Sequence, residues 1–461
     1  MQSIAGHILV LGLGRSGLAV AQRVLAEQDS GAAVRLTVLD AADTPLLAER
    51  AADLTSHGAT VVLGADKVPD DVDMVVLSPG IPPATALVVA AQRLGVPVIS
   101  ELEFAYMLTD SPFIAITGTN GKTTVTSLVA HLLGEAGIPC EAVGNIGTPP
   151  TEVVAQSGLA TVLVAEVSSF QLAFTRRFHP RVSVLLNITP DHINWHGSLE
   201  AYVADKTRVF ANQTYGDTAV IDVDDPGSAP YADIVEAQGV QVCKVSRATR
   251  FPGGATVIDG MMCIERDGQL IELVAVQQLR IVGAHNVSNA LAAAAAAIAA
   301  GADAASVRAG LRSFNPVPHR LEPVGVVDGV EYFNDSKATN PDAVLKALES
   351  FGAKPLVILL GGRNKGNDFN PLAARVCERC RAAVLFGEAA VELETAFDAR
   401  TFDYATAANL AEAVEAATAF ARPGDVVLLS PACASFDEFS GYEQRGERFK
   451  DLVSALPVGG C

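Results

Sequence analysis

Over the first hundred residues, short apolar runs rich in β-branched residues alternate with stretches of helical spacing. HILVLGL, VRLTVLD, TVVLG, MVVLSPG and PVIS each read as a strand closed by turn residues. A strand that is apolar along its whole length is covered on both faces, so this rhythm predicts a parallel, doubly wound α/β unit. ELEFAYMLTDSP then leads into a new run, FIAIT, which opens a second α/β region containing TVLVAEV and VSVLLNIT. From about Ala219 to Ile281 the runs become short and alternating, with Gly and Asp turns, and predict antiparallel strands attached to that second region. After an alanine-rich helical stretch comes FNPVPHRLEPV, whose Pro316, Pro318 and Pro323 predict a linker. Strand–loop–helix units return in VEYFND, PLVILLGG, AAVLFG and DVVLLSP. The expectation is three α/β domains near residues 1–110, 111–315 and 316–461.

Composition narrows the function classes. A chain of 461 residues is too long for one ordinary core. With 52 acidic against 33 basic residues its net charge is −19, which argues against nucleic acid and anionic membranes as partners. Any anionic substrate has to be gathered locally, by loops, helix N-termini and a few placed cations. The seven cysteines, from Cys140 to Cys461, follow no regular spacing and read as free thiols of a reducing compartment. Cys377 and Cys380 form a CxxC in the helical-looking ARVCERCRAA, with no second pair or nearby His to make a metal site. The N-terminus runs straight into a strand without a basic region or cleavage site, and Ala290–Ala300 is too short to span a bilayer. A soluble, cytoplasmic protein is expected.

The strongest chemical signal is Gly118-Thr119-Asn120-Gly121-Lys122-Thr123-Thr124, between the strand FIAIT and a helical pattern. Strand, glycine-rich loop and helix let backbone N–H groups and a helix N-terminus hold phosphate oxygens. Lys122 is placed for β/γ-phosphates and the Thr123 hydroxyl for Mg²⁺. Ile116 stands where the usual P-loop has its first Gly, so this is a shortened variant. Gly12-Leu13-Gly14-Arg15-Ser16-Gly17, with Asp40 ending the next strand, fits a dinucleotide fingerprint. Any diphosphate benefits from that loop, so NAD and other nucleotides both remain open. Glu166 ends TVLVAEV, where a carboxylate can ligate Mg²⁺; His192 of NITPDH offers a nitrogen ligand, and Lys206 follows on a helical stretch. Asn286 and Asn289 head the alanine-rich helix, as adenine readers or, for Asn286, as a helix cap. In the last domain the polar residues cluster in Pro318-His319-Arg320, NDSKATN (334–340), GGRNKG (361–366) and the segment Ser430–Phe449. The ends of parallel strands are where such sheets place ligands, with some residues, Ser336 among them, expected as ordinary caps.

In this order, GTNGKTT, EVSSFQL, NITPDH, HNVSNA, HRLE, NDSKATNPDA and SPACASFDEFSGYEQRGERF resemble the Mur ligase family, ATP-dependent enzymes that build the peptidoglycan stem peptide. GGRNKGNDF and the last segment are most similar to the branch that joins D-glutamate to UDP-N-acetylmuramoyl-L-alanine, and the Asp-Asn-Pro motif of the diaminopimelate- and lysine-adding branches is missing. The resemblance implies a Rossmann-like N-terminal domain for the UDP substrate, a central P-loop-type ATPase domain with a mixed sheet, and a mobile, Rossmann-like C-terminal domain for the amino acid. It moves Gly14, Arg15, Ser16, Asp40 and Ser78 from NAD to UDP, although Ala41 stands where a hydroxyl residue is expected. It assigns Gly118–Thr124 to ATP, Thr123 and Glu166 to one Mg²⁺, and His192 and Lys206 to a second, with Lys206 carbamylated into an anion. Asn145 of GNIG and His192 would lie near the UDP substrate, and Asn286 and Asn289 near adenine. Arg320, Asp335 and Lys337 would serve the ATP phosphates and ribose, and Thr339, Lys365, Ser435 and Tyr442 the D-glutamate. A monomer is expected. The competing readings are a sister ligase such as a folylpolyglutamate synthase, an NAD-dependent oxidoreductase and a non-catalytic nucleotide binder.

Overall fold

The computed structural model describes residues 4–154, 158, 160–266, 268–315, 318–398 and 400–457. Pro316 of the expected linker and Cys461 lie outside the described residues. The first sheet comprises β1 (Gly6–Leu11), β2 (Val34–Asp40), β3 (Thr60–Leu63), β4 (Met74–Leu77) and β5 (Val98–Ser100). All are parallel, in the order β3-β2-β1-β4-β5. The order reverses between β1 and β4, which opens a crevice beyond the strand ends, and the loop Gly12–Gly17 after β1 lies at that reversal.

The second sheet comprises β6 (Phe113–Thr117), β7 (Cys140–Gly144), β8 (Val162–Glu166), β9 (Val182–Leu185), β10 (Thr218–Asp222), β11 (Gln241–Ser246), β12 (Ala255–Ile258), β13 (Met261–Arg266) and β14 (Gln269–Ala275). Its order is β14-β13-β12-β11-β10-β9-β6-β8-β7. Every residue of β6, β8 and β9 is buried, as their unbroken apolar character requires. The expectation of antiparallel strands over 219–281 needs correction. Strands β9 to β12 pair in parallel, and only β12–β13–β14 are antiparallel. The parallel step from β10 to β11 needs a crossover, and the helix Pro230–Ala237 supplies it. The antiparallel step turns at Asp259-Gly260, both with positive φ (48° and 77°), the geometry of a tight hairpin.

The third sheet comprises β15 (Glu322–Val327), β16 (Val330–Asn334), β17 (Leu356–Gly361), β18 (Cys380–Phe386), β19 (Tyr404–Ala407) and β20 (Val426–Ala432), in the order β15-β16-β20-β17-β18-β19. It is parallel except for β15, which runs antiparallel to β16 along one edge. Two sequence readings change here. Glu322–Val324, assigned to the linker, begins that edge strand, where Pro323 sits beside a register shift; an edge tolerates the missing donor. The stretch around the CxxC is helical only to Arg379, and Cys380 starts β18.

Three sheets make two compact units. One contains Met1–Gln278 with Ser288–Ser313, and so both the first and second sheets; the other contains Leu279–Val287 with Phe314–Cys461. The first unit is welded by a single apolar cluster that runs from Val10 and Val38 through Phe104 to Phe113, Leu163 and Tyr202. The short helix Glu101–Met107 is its seam. Glu103, buried on that helix, accepts three backbone N–H groups, from Arg176 (2.9 Å), Arg177 (2.8 Å) and Phe178 (2.9 Å). Each is a charge-assisted bond, and together they tie the first sheet's last helix to the second sheet's loops. No helix among the described residues is long and apolar enough to cross a membrane.

Candidate active site

In the first unit the strand ends β6, β7, β8 and β9 deliver the predicted residues to one place. Gly118 and Gly121 hold φ of 152° and 87°, and Gly121 caps the helix Lys122–Glu135, so the loop turns sharply and presents its N–H groups. A Cβ on Gly121 would fall 2.6 Å from Asn289 Oδ1, which sets Asn289 against the phosphate loop. The loop is clamped by a residue that the sequence motifs contain but to which no role was given. Asn187 O accepts from Thr119 N (2.9 Å), Asn187 Oδ1 from Asn120 N (2.8 Å), and Asn187 Nδ2 donates to Asn120 O (3.0 Å). Tyr202, also unassigned, shares a 2.8 Å hydrogen bond with Thr119 Oγ1.

Both lysines converge on the same loop. Lys122 Nζ donates to Gly118 O (2.9 Å) and Thr119 O (2.8 Å), and Lys206 Nζ donates to Gly118 O (3.0 Å). Lys206 is 2% exposed. Burial, reinforced by the Lys122 charge and opposed by Asp191, pushes its ammonium well below the usual lysine range. Its surroundings therefore weaken the hold on the ammonium proton. Glu166 is buried, its Oε1 accepts from Asn145 Nδ2 (3.3 Å), and its Oε2 has no hydrogen-bond partner. A buried carboxylate oxygen without a donor is unfavourable on its own and suits a cation. Among the described residues no three His, Cys, Asp or Glu side chains group as a metal site. The oxygen donors present, the Glu166 carboxyl at the end of β8 and the Thr123 hydroxyl at the start of the helix after the loop, are of the kind that suits Mg²⁺, which takes few protein ligands and fills its shell with phosphate and water oxygens; Lys206 offers nitrogen, and so no oxygen ligand unless its amine is modified. His192 adopts left-handed φ (53°) at the start of the turn Ile193–His196, with its ring 4.9 Å from Phe170. A non-glycine residue in that region is held there by its surroundings, as happens at functional sites.

The first sheet's loop is shaped by neighbouring polar groups. Asp40 accepts from Leu13 N (2.7 Å) and Ala42 N (2.9 Å), Ser78 Oγ donates to Gly12 O (3.0 Å), and Arg50 Nη1 donates to Leu13 O (2.9 Å). A Cβ on Gly17 would overlap Gly12 O, the close helix–strand approach expected of the third glycine. Gly14 and Arg15 are exposed and Ser16 is half-buried at the helix start. A Cβ on Gly147 would lie 3.7 Å from Arg15 Nη1, so Arg15 reaches the loop that carries Asn145.

In the second unit the ends of β16, β17 and β20 gather the remaining residues. Asp335 is buried, accepts from Ser430 Oγ (2.8 Å) and Leu321 N (3.3 Å), and lies 3.8 Å from Arg320; burial raises its carboxyl to about 6 against the pull of Arg320. Lys337 sits 5.0 Å over the Tyr442 ring, and Lys365 Nζ is 3.5 Å from Thr339 Oγ1. Ser435 Oγ is buried with no hydrogen-bond partner. Ser336 is not a cap: it donates to Tyr442 O and accepts from Arg445, while Asn340 caps the helix Pro341–Glu349. Nor does Asn286 cap its helix; its amide donates to Val282 O at 2.7 Å. Arg445 went unassigned. It is fully buried and donates to Ser336 Oγ (3.0 Å), Ser336 O (2.8 Å), Cys433 O (3.1 Å) and Gly361 O (3.4 Å), stitching all three loops together. Its only sequence signal is a charged residue inside EQRGERF, on a face that helical spacing alone leaves undecided.

A phosphate loop beside a carboxylate poised for a cation, and polar loops on a separate α/β unit, is the apparatus of an ATP-dependent acid–amino-acid ligase. Comparison with known proteins places the chain within that class. The Mur ligase MurD-like N-terminal domain matches residues 6–100, the Mur ligase middle domain 116–297, and the Mur ligase glutamate ligase domain 319–433. UDP-N-acetylmuramoylalanine--D-glutamate ligase of Pelotomaculum thermopropionicum is 45% identical over 98% of both chains, and the enzyme of that name from Geobacter metallireducens is 41% identical over 100% of this chain and 99% of its own. Among solved structures, UDP-N-acetylmuramate-alanine ligase from Thermotoga maritima superimposes with a TM-score of 0.58 at 20% identity, covering 98% of this chain and 99% of its own. The chain belongs to the Mur ligase family.

Proposed function

We propose that the chain joins D-glutamate to the L-alanyl carboxylate of UDP-N-acetylmuramoyl-L-alanine, with conversion of ATP to ADP and phosphate, as a step of peptidoglycan precursor synthesis. The observation that carries the reading is the convergence of Lys122 and Lys206 on one phosphate loop, with Glu166 ending the strand next to the one that leads into it, in a chain 45% identical along its length to a ligase of that name. The residue roles follow from this chemistry. The N–H groups of Gly118–Thr124 and the Lys122 ammonium hold the ATP phosphates, and Asn289 beside Gly121 serves the nucleotide with Asn286. Bound Mg²⁺, on Thr123 and Glu166 and on His192 and Lys206, would supply charge neutralisation between phosphates and carboxylate. CO₂ adds to the amine form of a lysine with loss of a proton to give a carbamate, and burial that weakens the ammonium favours this change, so Lys206 is suited to become an anionic ligand.

An oxygen of the L-alanyl carboxylate attacks the γ-phosphorus, the bond to the β-phosphate oxygen breaks, and an acyl phosphate and ADP form. The D-glutamate amine then attacks the acyl carbon, the tetrahedral adduct loses a proton from nitrogen, and phosphate leaves. Thr339, Lys365, Ser435 and Tyr442 would hold the glutamate carboxylates, and Arg320, Asp335 and Lys337 the phosphates and ribose. Gly14, Arg15, Ser16, Asp40, Ser78, Asn145 and His192 would contact the UDP substrate. Domain boundaries near 110 and 315, two metal ions, and a monomer working in the cytoplasm, where ATP is available, belong to the same reading.

The test is ADP release with Mg-ATP, UDP-N-acetylmuramoyl-L-alanine and D-glutamate, L-glutamate, L-lysine or meso-diaminopimelate in turn. Release that requires the UDP substrate and D-glutamate is expected. Release with another of the four amino acids, or near-normal turnover by Lys122→Ala, would refute the proposal.

A further inference from the structure

Next to Lys206 runs a hydrogen-bonded chain to which none of the motif roles applies. His196 has a fully buried side chain. Its Nδ1 lies 2.8 Å from Asp205 Oδ2 and its Nε2 2.9 Å from Ser169 Oγ. A carboxylate only accepts, so Nδ1 carries the proton, and in the neutral ring Nε2 accepts the serine hydroxyl. The order Ser–His–Asp is that of a nucleophile triad, but both Ser169 and the imidazole are buried, which leaves the serine no access to a substrate. What the chain does have is position. Ser169 opens the helix that begins three residues after Glu166, and Asp205 directly precedes Lys206. The imidazole also packs edge-on to Tyr202 (5.2 Å, 71°) and stacks on Phe170 (5.5 Å, 27°). Tyr202 in turn bonds Thr119 of the phosphate loop and carries the Lys206 Nζ 4.7 Å over its ring. Tyr202, Asp205 and Lys206 share one face of their helix at i, i+3 and i+4.

We infer that the Ser169–His196–Asp205 chain is a positioning device of the ligase centre: His196 holds the helix Leu199–Thr207, and with it Lys206, in fixed relation to Glu166 and the phosphate loop. The inference rests on the reading of Lys206 and Glu166 given above. Without the imidazole, two polar groups lose their partners and the helix is free to shift relative to Glu166, so the groups that receive the metal and the γ-phosphoryl lose their spacing. Supporting residues of this kind typically contribute ~10–100-fold to activity or metal affinity.

The experiment compares the full-length protein with His196→Ala, His196→Asn, His196→Gln and Lys206→Ala. The readouts are ADP release kinetics, the Mg²⁺ concentration for half-maximal rate, melting temperature, and the low-field imidazole N–H proton resonance of the protein without nucleotide or magnesium. Expected for His196→Ala are loss of the resonance, a ~10–100-fold lower kcat and a higher Mg²⁺ requirement, with KM for the UDP substrate changed less than about twofold. Asn can keep the bond to Asp205 and Gln the bond to Ser169, so each should recover part of kcat; these two decide the matter if His196→Ala does not fold. Wild-type kcat and Mg²⁺ requirement in a folded His196→Ala would overturn the inference. So would losses in Asn and Gln that track melting temperature alone, or a wild-type resonance that survives His196→Ala. Near-normal turnover by Lys206→Ala would instead refute the reading of the centre itself.

Discussion

The seam between the first and second sheets contains a carboxyl whose titration can be followed as stability. Glu101 is 1% exposed; its Oε1 accepts from Thr151 N (2.8 Å) and Thr151 Oγ1 (2.6 Å), while Oε2 has no partner. Burial raises the carboxyl from 4.5 to about 7, against the two bonds from Thr151, which favour the anion. The folded state thus binds this proton more tightly than the unfolded chain does. Stability is fully present below pH 4.5 and falls as pH rises through about 7. Each tenfold change in proton affinity is about 1.4 kcal/mol, so relative to low pH the folded state is about 3 kcal/mol less stable above pH 8, and about 1 kcal/mol less stable at pH 5, where the unfolded chain has begun to release the proton. Glu101→Gln keeps the acceptor for Thr151 and cannot ionise. Relative to wild type, it should gain about 2 kcal/mol between pH 5 and pH 8, whatever constant offset its buried amide introduces. The single tryptophan, Trp195, lies in the same compact unit, so its fluorescence during urea unfolding reports that unit alone. A difference between variant and wild type that moves by less than about 0.5 kcal/mol over this range would refute the assignment of a titrating Glu101.

Two further outcomes follow from contacts described above. Gly17→Ala drives a methyl into Gly12 O at the first sheet's glycine loop, and should raise KM for the UDP substrate at least about tenfold while costing about 1–3 kcal/mol in the same fluorescence assay; unchanged KM would separate this loop from substrate binding. Arg445→Lys removes the planar fork that reaches Ser336, Cys433 and Gly361, and should destabilise the C-terminal unit by about 3 kcal/mol in calorimetry and weaken D-glutamate saturation; a wild-type melting profile would show that the buried guanidinium does not hold the loops.

Much of the fold was legible because burial writes itself into the chain. FIAIT, TVLVAEV and PLVILLGG read as strands covered on both faces, and β6, β8 and β17 are buried throughout. The phosphate loop was legible for a related reason: a turn of glycines followed by lysine and threonine is a device of consecutive residues, whose backbone requirement Gly118 and Gly121 meet locally. Strand direction after Thr218 was not legible. An alternating strand with one solvated face has the same pattern in a parallel pair as in an antiparallel one, and the helix Pro230–Ala237 decided the matter.

What the sequence alone determined, then, is the set of elements, their apolar faces and the loops that hold phosphate. Tertiary structure decided which distant groups meet there: Asn187 on the loop 67 residues before it, Tyr202 on Thr119, Arg445 beneath three loops, and His196 between Ser169 and Asp205. It also decided the character of Lys206. Its amine sits 3.0 Å from Gly118 O, 88 residues away in sequence, with water excluded and Lys122 close by. Proton affinity depends on the dielectric and charges around a group, and no run of neighbouring residues specifies those; the lysine becomes an unusual one only when the helix that bears it is packed against the phosphate loop.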